Sequence, residues 1–326
     1  MKKNLKINVV WVAIMVLAFA AIGISYSVGL INPYIETTLV QIGINIILAV
    51  GLNLVIGFSG QFSLGHAGFM AIGAYATAIA SLKNPTFGGF ATGMLAGMVL
   101  SGAVALVVGI PTLRLKGDYL AIATLGVSEI IRVLIVNLDT VTNGPAGLFG
   151  ITPFVTWSMV FGFVVVTTLV TVNYIHSGAG RATLSVRENE IAAEAMGVNT
   201  TKYKVTAFVI GAMTAALAGG LHASYIQTIL PKDFAFMKSI DILIIVVFGG
   251  VGSVTGSFIA AVVLGLLNMF LQDFGQLRMI IYALALIIIM IFKPSGLMGT
   301  WEFSVKRLFE KKAKKGGNAD VSSESN

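Results

Sequence analysis

The chain has 326 residues, 56% of them hydrophobic and only 11% charged, with a mean hydropathy of +0.92. That composition excludes an ordinary soluble domain and indicates a polytopic membrane protein. The net charge of +7 comes without the interleaved aromatic and basic residues that grip single strands, so no nucleic-acid partner is expected. The absence of cysteine removes a disulfide framework, a thiolate metal site and a thiol nucleophile; no metal site is expected at all.

In chain order, apolar runs near bilayer length occupy residues 9–31, 39–58, 66–82, 91–110, 119–138, 154–175 and 205–226. The first is too long for the apolar core of a cleaved signal peptide and reads as an anchor. The remaining stretch, 240–292, is broken by GGVGSVTG at 249–256 and QDFGQ at 272–276, and reads as three short crossings or as a re-entrant hairpin plus longer ones. The predicted fold is therefore all-α: a polytopic transmembrane bundle of about ten spans, with eight possible, including broken or short helices. Residues 1–300 are expected to form a single transmembrane domain, with a polar loop at 177–204. Residues 301–326 form a polar, basic cytoplasmic tail, disordered at its end.

Lysine and arginine set the orientation, because positive loops are retained in the cytoplasm. With an even span count both termini lie inside. The inner segments then hold Lys2, Lys3, Lys6, Arg114, Lys116, Arg181, Arg187, Lys202, Lys204, Lys293, Lys306, Arg307, Lys311, Lys312, Lys314 and Lys315. Lys83, Lys232, Lys238, Arg132 and Arg278 run against this pattern.

Small residues recur every fourth position along three helices: Gly89, Gly93, Gly97, Ser101, Ala105 and Gly109; Ala207, Gly211, Ala215, Gly219 and Ala223; and Ser253, Ser257, Ala261 and Gly265. Such stripes let membrane helices approach closely, within the chain or against a second membrane subunit. Polar residues inside spans are costly and must face protein or water. Gln41, Asn45 and Asn53 share one face, as do Thr124, Ser128 and Arg132. A lone ionised Glu129 at mid-span would cost about 3 kcal/mol, but Arg132 at i+3 can neutralise it.

Two glycine-rich breaks resemble each other: GFSGQFSLGHAGF at 57–69 and FGGVGSVTGSF at 248–258. Discontinuous helices expose backbone polar groups, which is tolerated only inside protein or along a cavity, so the breaks point to a translocation path. The candidate path residues are Asn45, Asn53, Ser63, His66, Thr124, Ser128, Glu129, Gly250 and Ser253. His66 also reads as a hydrogen-bonded helix-end residue.

The polar loop predicts a short amphipathic helix over 185–197. Ser185 and Glu188 form a capping box, Glu188 and Glu190 suit the positive helix end, and Gly197 is a natural C-cap. Ile191, Ala192, Ala195 and Met196 line its apolar face. Membrane-surface helices usually carry many basic residues on the polar face, whereas this one sets Arg187 against Glu188, Glu190 and Glu194, so a protein partner is expected.

This segment resembles the coupling motif of ABC importer permeases, E-A-A followed by three residues and glycine. Ile191, Ala192, Ala193 and Gly197 occupy that frame, with Ile191 in place of the leading glutamate and the I-x-L-P ending missing. The longer run GRATLSVRENEIAAEAMGVN is similar to the branched-chain amino acid ABC permeases, as are GLNLVIGFSGQFSLGHAGFMAIGAYA at 51–76, GGVGSVTG, and KPSGLMG at 293–299. LRLKGDYLAIATLGVSEIIRVL at 113–134 resembles the LivM-type subunit of that family. The resemblance implies a bacterial or archaeal cytoplasmic-membrane protein working with a homologous LivH-type permease, two cytosolic LivG/LivF-type ATPases, and an extracytoplasmic binding protein that delivers Leu, Ile or Val. It further implies an ATPase-coupling set of Ser185, Arg187, Glu188, Glu190, Ile191, Ala192, Ala193, Glu194 and Gly197.

The chain lacks the G-x-x-x-x-G-K-[ST] phosphate loop. It is not expected to be an enzyme or to bind a cofactor, and ATP would be hydrolysed by partner subunits. The alternatives are a urea or short-chain amide ABC permease, and a secondary transporter driven by an ion gradient through His66, Glu129 and Asp241.

Overall fold

The computed structural model describes residues 32–274, 277–293 and 296–299, with scattered positions between 19 and 29. Most of the expected first span at 9–31, and the expected tail at 301–326, lie outside the described residues. Two compact units are distinguished, residues 35–301 and residues 1–34 with 302–326; the architecture below is that of the first.

Helix α1 (Pro33–Asn53) widens at its end into a π-turn, Leu54–Phe58. After the first glycine-rich break come α2 (His66–Lys83), α3 (Phe87–Thr112) and α4 (Asp118–Asn137). A one-turn helix α5 (Asp139–Thr142) leads to strand β1 (Leu148–Phe149), then to α6 (Trp157–His176). The polar loop forms α7 (Gly178–Glu188) and α8 (Glu190–Ala195), and α9 (Thr200–Ile226) follows. Strand β2 (Thr228–Ile229) pairs antiparallel with β1, Leu148 opposite Ile229 and Phe149 opposite Thr228. The chain continues through a 3-10 turn, Pro231–Phe234, into α10 (Phe236–Gly249), α11 (Val254–Phe270) and α12 (Leu277–Phe292).

Helix starts follow local capping chemistry. The Thr86 side chain accepts from Gly89 N at 3.2 Å, Ser177 from Gly180 N at 3.1 Å, Asn199 from Lys202 N at 3.0 Å and Ser253 from Gly256 N at 2.9 Å.

Where about ten spans are expected, five described helices have the length and hydropathy to cross a bilayer: Pro33–Phe58, Phe87–Thr112, Asp118–Asn137, Trp157–His176 and Thr200–Ile226. The pair α10 and α11, bent by 118° at the second glycine-rich break, makes a sixth if taken as one span. The shortfall has physical causes. Helix α2 is enclosed by protein over most of its length, so it carries Ala, Gly and Thr where a lipid-facing helix needs large apolar side chains. Helices α10, α11 and α12 are 14, 17 and 16 residues long, short of a full crossing.

The core is the trio α2, α3 and α9. The α3 stripe Gly89, Gly93, Gly97, Ser101, Ala105 and Gly109 is wholly buried, as is the α9 stripe Ala207, Gly211, Ala215, Gly219 and Ala223. Both stripes are therefore seams within the chain. A Cβ on Gly73 would collide with the Ala216 backbone, and one on Gly97 would lie 2.9 Å from Gly73 Cα. Across the same trio Ser101 donates to the Ala212 carbonyl at 2.9 Å. Backbones this close gain van der Waals contact that lipid cannot supply.

Candidate functional site

The expected single helix over 185–197 is two helices. Asn189 leaves helical geometry at φ −158° and ψ 106°, and its side chain, accepting from Ala192 N at 3.0 Å, caps α8. Ser185 is thus not an N-cap: it sits in the last turn of α7, donating to the Ala182 carbonyl at 2.8 Å, and the predicted capping box with Glu188 does not form. Asn189 wins because the break falls at its own position, where an Asx side chain reaches the new helix's free N–H groups. Gly197 does close α8: at φ +82° it permits the Gly197 N to Glu194 O and Val198 N to Ala193 O bonds of a Schellman turn.

Helix α8 is fastened from behind. Its first residue, Glu190, binds Lys204 on α9 and, at 3.2 Å, Lys116 on the α3–α4 loop. Burial alone would raise the Glu190 carboxyl, but the two ammonium groups outweigh it and hold the carboxyl below its ordinary range. Glu194 accepts from Thr200 at 2.8 Å, and Ala193 is buried. On the opposite side Ile191 and Met196 are 77% and 84% exposed, with Ala192 and Ala195 also open.

Arg187, grouped with the docking residues by sequence, points inward. Its Nη1 donates to the Gly57 carbonyl at 2.7 Å, and it also pairs with Glu188. Gly57 lies in the π-turn at the first break, where a Cβ would strike Gly252 of the second. The two breaks therefore meet face to face. Asn53 bolts them together, fully buried: Nδ2 donates to Ser253 O and Ser257 Oγ, both at 2.8 Å, and Oδ1 accepts from Gly252 N at 2.8 Å. The second break is clasped from the other side as well, by Leu297 N donating to Phe248 O at 2.7 Å and Met298 N to Gly249 O at 3.2 Å. Only glycine fits at 250 and 296, where φ is +120° and +84° and the two residues abut.

The other predicted path residues divide. Gln41 donates to Asn45 at 3.3 Å on a half-buried face of α1. Ser63 is buried in the first break, its hydroxyl 3.4 Å from Gly65 N. His66 opens α2, 4% exposed, with its ring beside the Leu48 backbone and Nε2 unpartnered. Thr124 accepts from Leu64 N at 3.0 Å and packs under Gly65, while Ser128 packs under Gly68. These two positions form a seam between α4 and α2. Glu129 and Arg132 form the anticipated ion pair at 2.7 Å, each about one-third exposed.

Residues 34–292 match the family model described as branched-chain amino acid transport system / permease component. The chain belongs to this family. The permease is 38% identical over 291 residues to the high-affinity branched-chain amino acid transport system permease protein LivM of Salmonella typhimurium, covering 78% of this chain and 68% of that protein. It is 36% identical over 290 residues to LivM of Escherichia coli, with the same shares. Similarity to LivH of Escherichia coli is 29% over 126 residues, 38% of this chain and 41% of that one. No solved structure gives a significant match.

Several residues of the permease's junction escape a reading by sequence alone. Gly57, Gly252 and Ser257 lie within recognisable glycine-rich or small-residue patterns, but nothing local says that those patterns touch. Lys116 and Lys204 look like topogenic charges and turn out to anchor Glu190.

Proposed function

We propose that this permease is the LivM-type membrane subunit of an ATP-driven importer of branched-chain amino acids. A homologous LivH-type permease would complete the pore, two cytosolic ATPases would supply energy, and an external binding protein would deliver Leu, Ile or Val. Both termini and the α7–α8 segment lie in the cytoplasm, in a ten-span topology that counts the short helices α2, α10, α11 and α12 and the span at 9–31. The chain performs no covalent chemistry.

The observation that carries the reading is the geometry of α7–α8. Its outer face offers Ile191 and Met196 without intrachain cover, while its inner face reaches both helix breaks through Arg187. A partner pushing on the outer face would move the junction of the discontinuous helices, which is what alternating access requires. An ion-coupled transporter has no use for such a segment. His66, Glu129 and Asp241, its coupling candidates, are not joined into a relay by any hydrogen bond among the described residues.

The test is reconstitution with the two ATPases and the binding protein. Leucine uptake should survive collapse of ion gradients and stop with vanadate; the reverse pattern would overturn the importer reading. Ile191→Asp and Met196→Asp should abolish co-purification of the ATPases without preventing membrane insertion. Labelling of residue 190 from outside intact cells would place the segment in the wrong compartment.

A further inference from the structure

Lys238 runs against the inward distribution of basic residues, and it stands near the N-terminal end of α10, where the helix dipole disfavours a cation. Asp233 and Asp241 are its charged neighbours. Among the described residues, however, neither comes within ion-pair distance, and the ammonium donates to nothing. Beside it lies a second anomaly. Tyr75, on α2, is 3% exposed with an unpartnered hydroxyl, and His222, on α9, has its Nδ1 buried and unpartnered. Both rings stand edge-on to the buried Phe234, at centroid distances of 6.1 and 6.5 Å. His222 also has Lys238 as its charged neighbour, and Tyr75 has Asp233. Elements distant in sequence thus set a phenol and an imidazole, each with a buried unpartnered polar atom, against one aromatic side chain, with the Lys238 ammonium a charged neighbour of the imidazole.

Buried polar groups without partners call for an explanation, and a cluster of them next to an intramembrane charge marks a ligand path. Asp241, one turn beyond Lys238 on α10, is exposed on the surface of the chain. A carboxylate there must face water or a protein neighbour rather than lipid. A ligand that satisfies the set carries a carboxylate for Lys238 and Tyr75, an ammonium for Asp241, and an apolar side chain for Phe234.

We infer that Tyr75, His222, Phe234, Lys238 and Asp241 form a way-station for a free α-amino acid zwitterion with an aliphatic side chain, on the side of the bilayer where the substrate enters. This rests on the importer reading above, and it makes α10 a lining helix.

The test uses the complete complex, both permeases with both ATPases, in proteoliposomes supplied with binding protein and labelled L-leucine. Lys238→Met and Tyr75→Phe are compared with wild type, with ATPase co-purification reporting assembly. We expect L-leucine uptake to fall at least tenfold in Lys238→Met and about threefold in Tyr75→Phe, with the ATPases still bound. Wild-type uptake in both variants would overturn the way-station and identify the cluster as a water-filled pocket. Should Lys238→Met fail to assemble, Tyr75→Phe and Asp241→Asn decide by the same criterion. A wild-type complex lacking vanadate-sensitive uptake would refute the importer reading instead, a separate outcome.

Discussion

Arg187 reaches the carbonyl of Gly57 across 130 positions of sequence, its Nη1 donating at 2.7 Å. This is the point where a helix lying outside the bundle touches the wall of the first helix break. The guanidinium is suited to the task because its planar fork can hold Glu188 and the carbonyl together, which a lysine ammonium does less well. Gly60, at φ +70°, brings its backbone against the same arginine side chain.

Arg187→Ala should therefore uncouple rather than disassemble the transporter. An orphaned carbonyl costs about 1–3 kcal/mol, and we expect uptake per ATP hydrolysed to fall about tenfold, the effect of 1.4 kcal/mol on a rate. Arg187→Lys should recover part of it. The ratio of leucine uptake to phosphate release measures the effect; an unchanged ratio in Arg187→Ala would rule out the transmission role.

Asn53→Ala should be a stability mutant first. It leaves Gly252 N without the Asn53 acceptor, at about 1–3 kcal/mol for an unsatisfied buried group, while Ser253 O keeps its bonds from Ser257 N and Oγ. A lower melting temperature in detergent is expected, and Asn53→Asp should be no better, since an acceptor would then face the Ser253 carbonyl.

Gly73→Ala tests the central seam. The added methyl meets the Ala216 backbone, which cannot swing aside, so overpacking by about 1–3 kcal/mol is expected. Gly162→Ala in α6 is the control, because nothing lies within 4 Å of its would-be Cβ. Thermal melting of the two proteins should separate them, and equal melting points would contradict the close approach of α2 and α9.

Acid should release α8. The Glu190 carboxyl is held below the ordinary glutamate range because Lys204 and Lys116 outweigh the effect of burial. A depressed carboxylate contributes its stability above the unfolded value and loses it as pH falls through the folded one. Tethering should then be intact at neutral pH and fade only below the ordinary glutamate range. Hydrogen exchange across 189–198 should show protection lost in that acid window, and Glu190→Gln should lack protection already at pH 7.

How much of this could be read in advance differs from residue to residue. The stripe from Gly89 to Gly109 was plain as a packing seam because its four-residue spacing is a property of one helix. The Glu129–Arg132 pair followed from i, i+3 spacing in the same way, and Gly197 from the local demand for a positive φ. The capping box failed because Ser185 and Asn189 both precede acidic, helix-forming residues, and only the actual bend chooses between them.

Sequence by itself determined what hydropathy, spacing and capping encode within a turn or two: a membrane bundle, two glycine-rich interruptions, and a polar segment that sets Arg187 against Glu188, Glu190 and Glu194. Only the tertiary structure decided that the interruptions abut, that Asn53 ties Gly252 and Ser257 from 199 and 204 residues away, and that Arg187 turns inward. The reason is physical. A hydrogen bond between distant residues depends on how whole helices pack, and the small residues that allow that packing are compatible with many partners until the fold selects one.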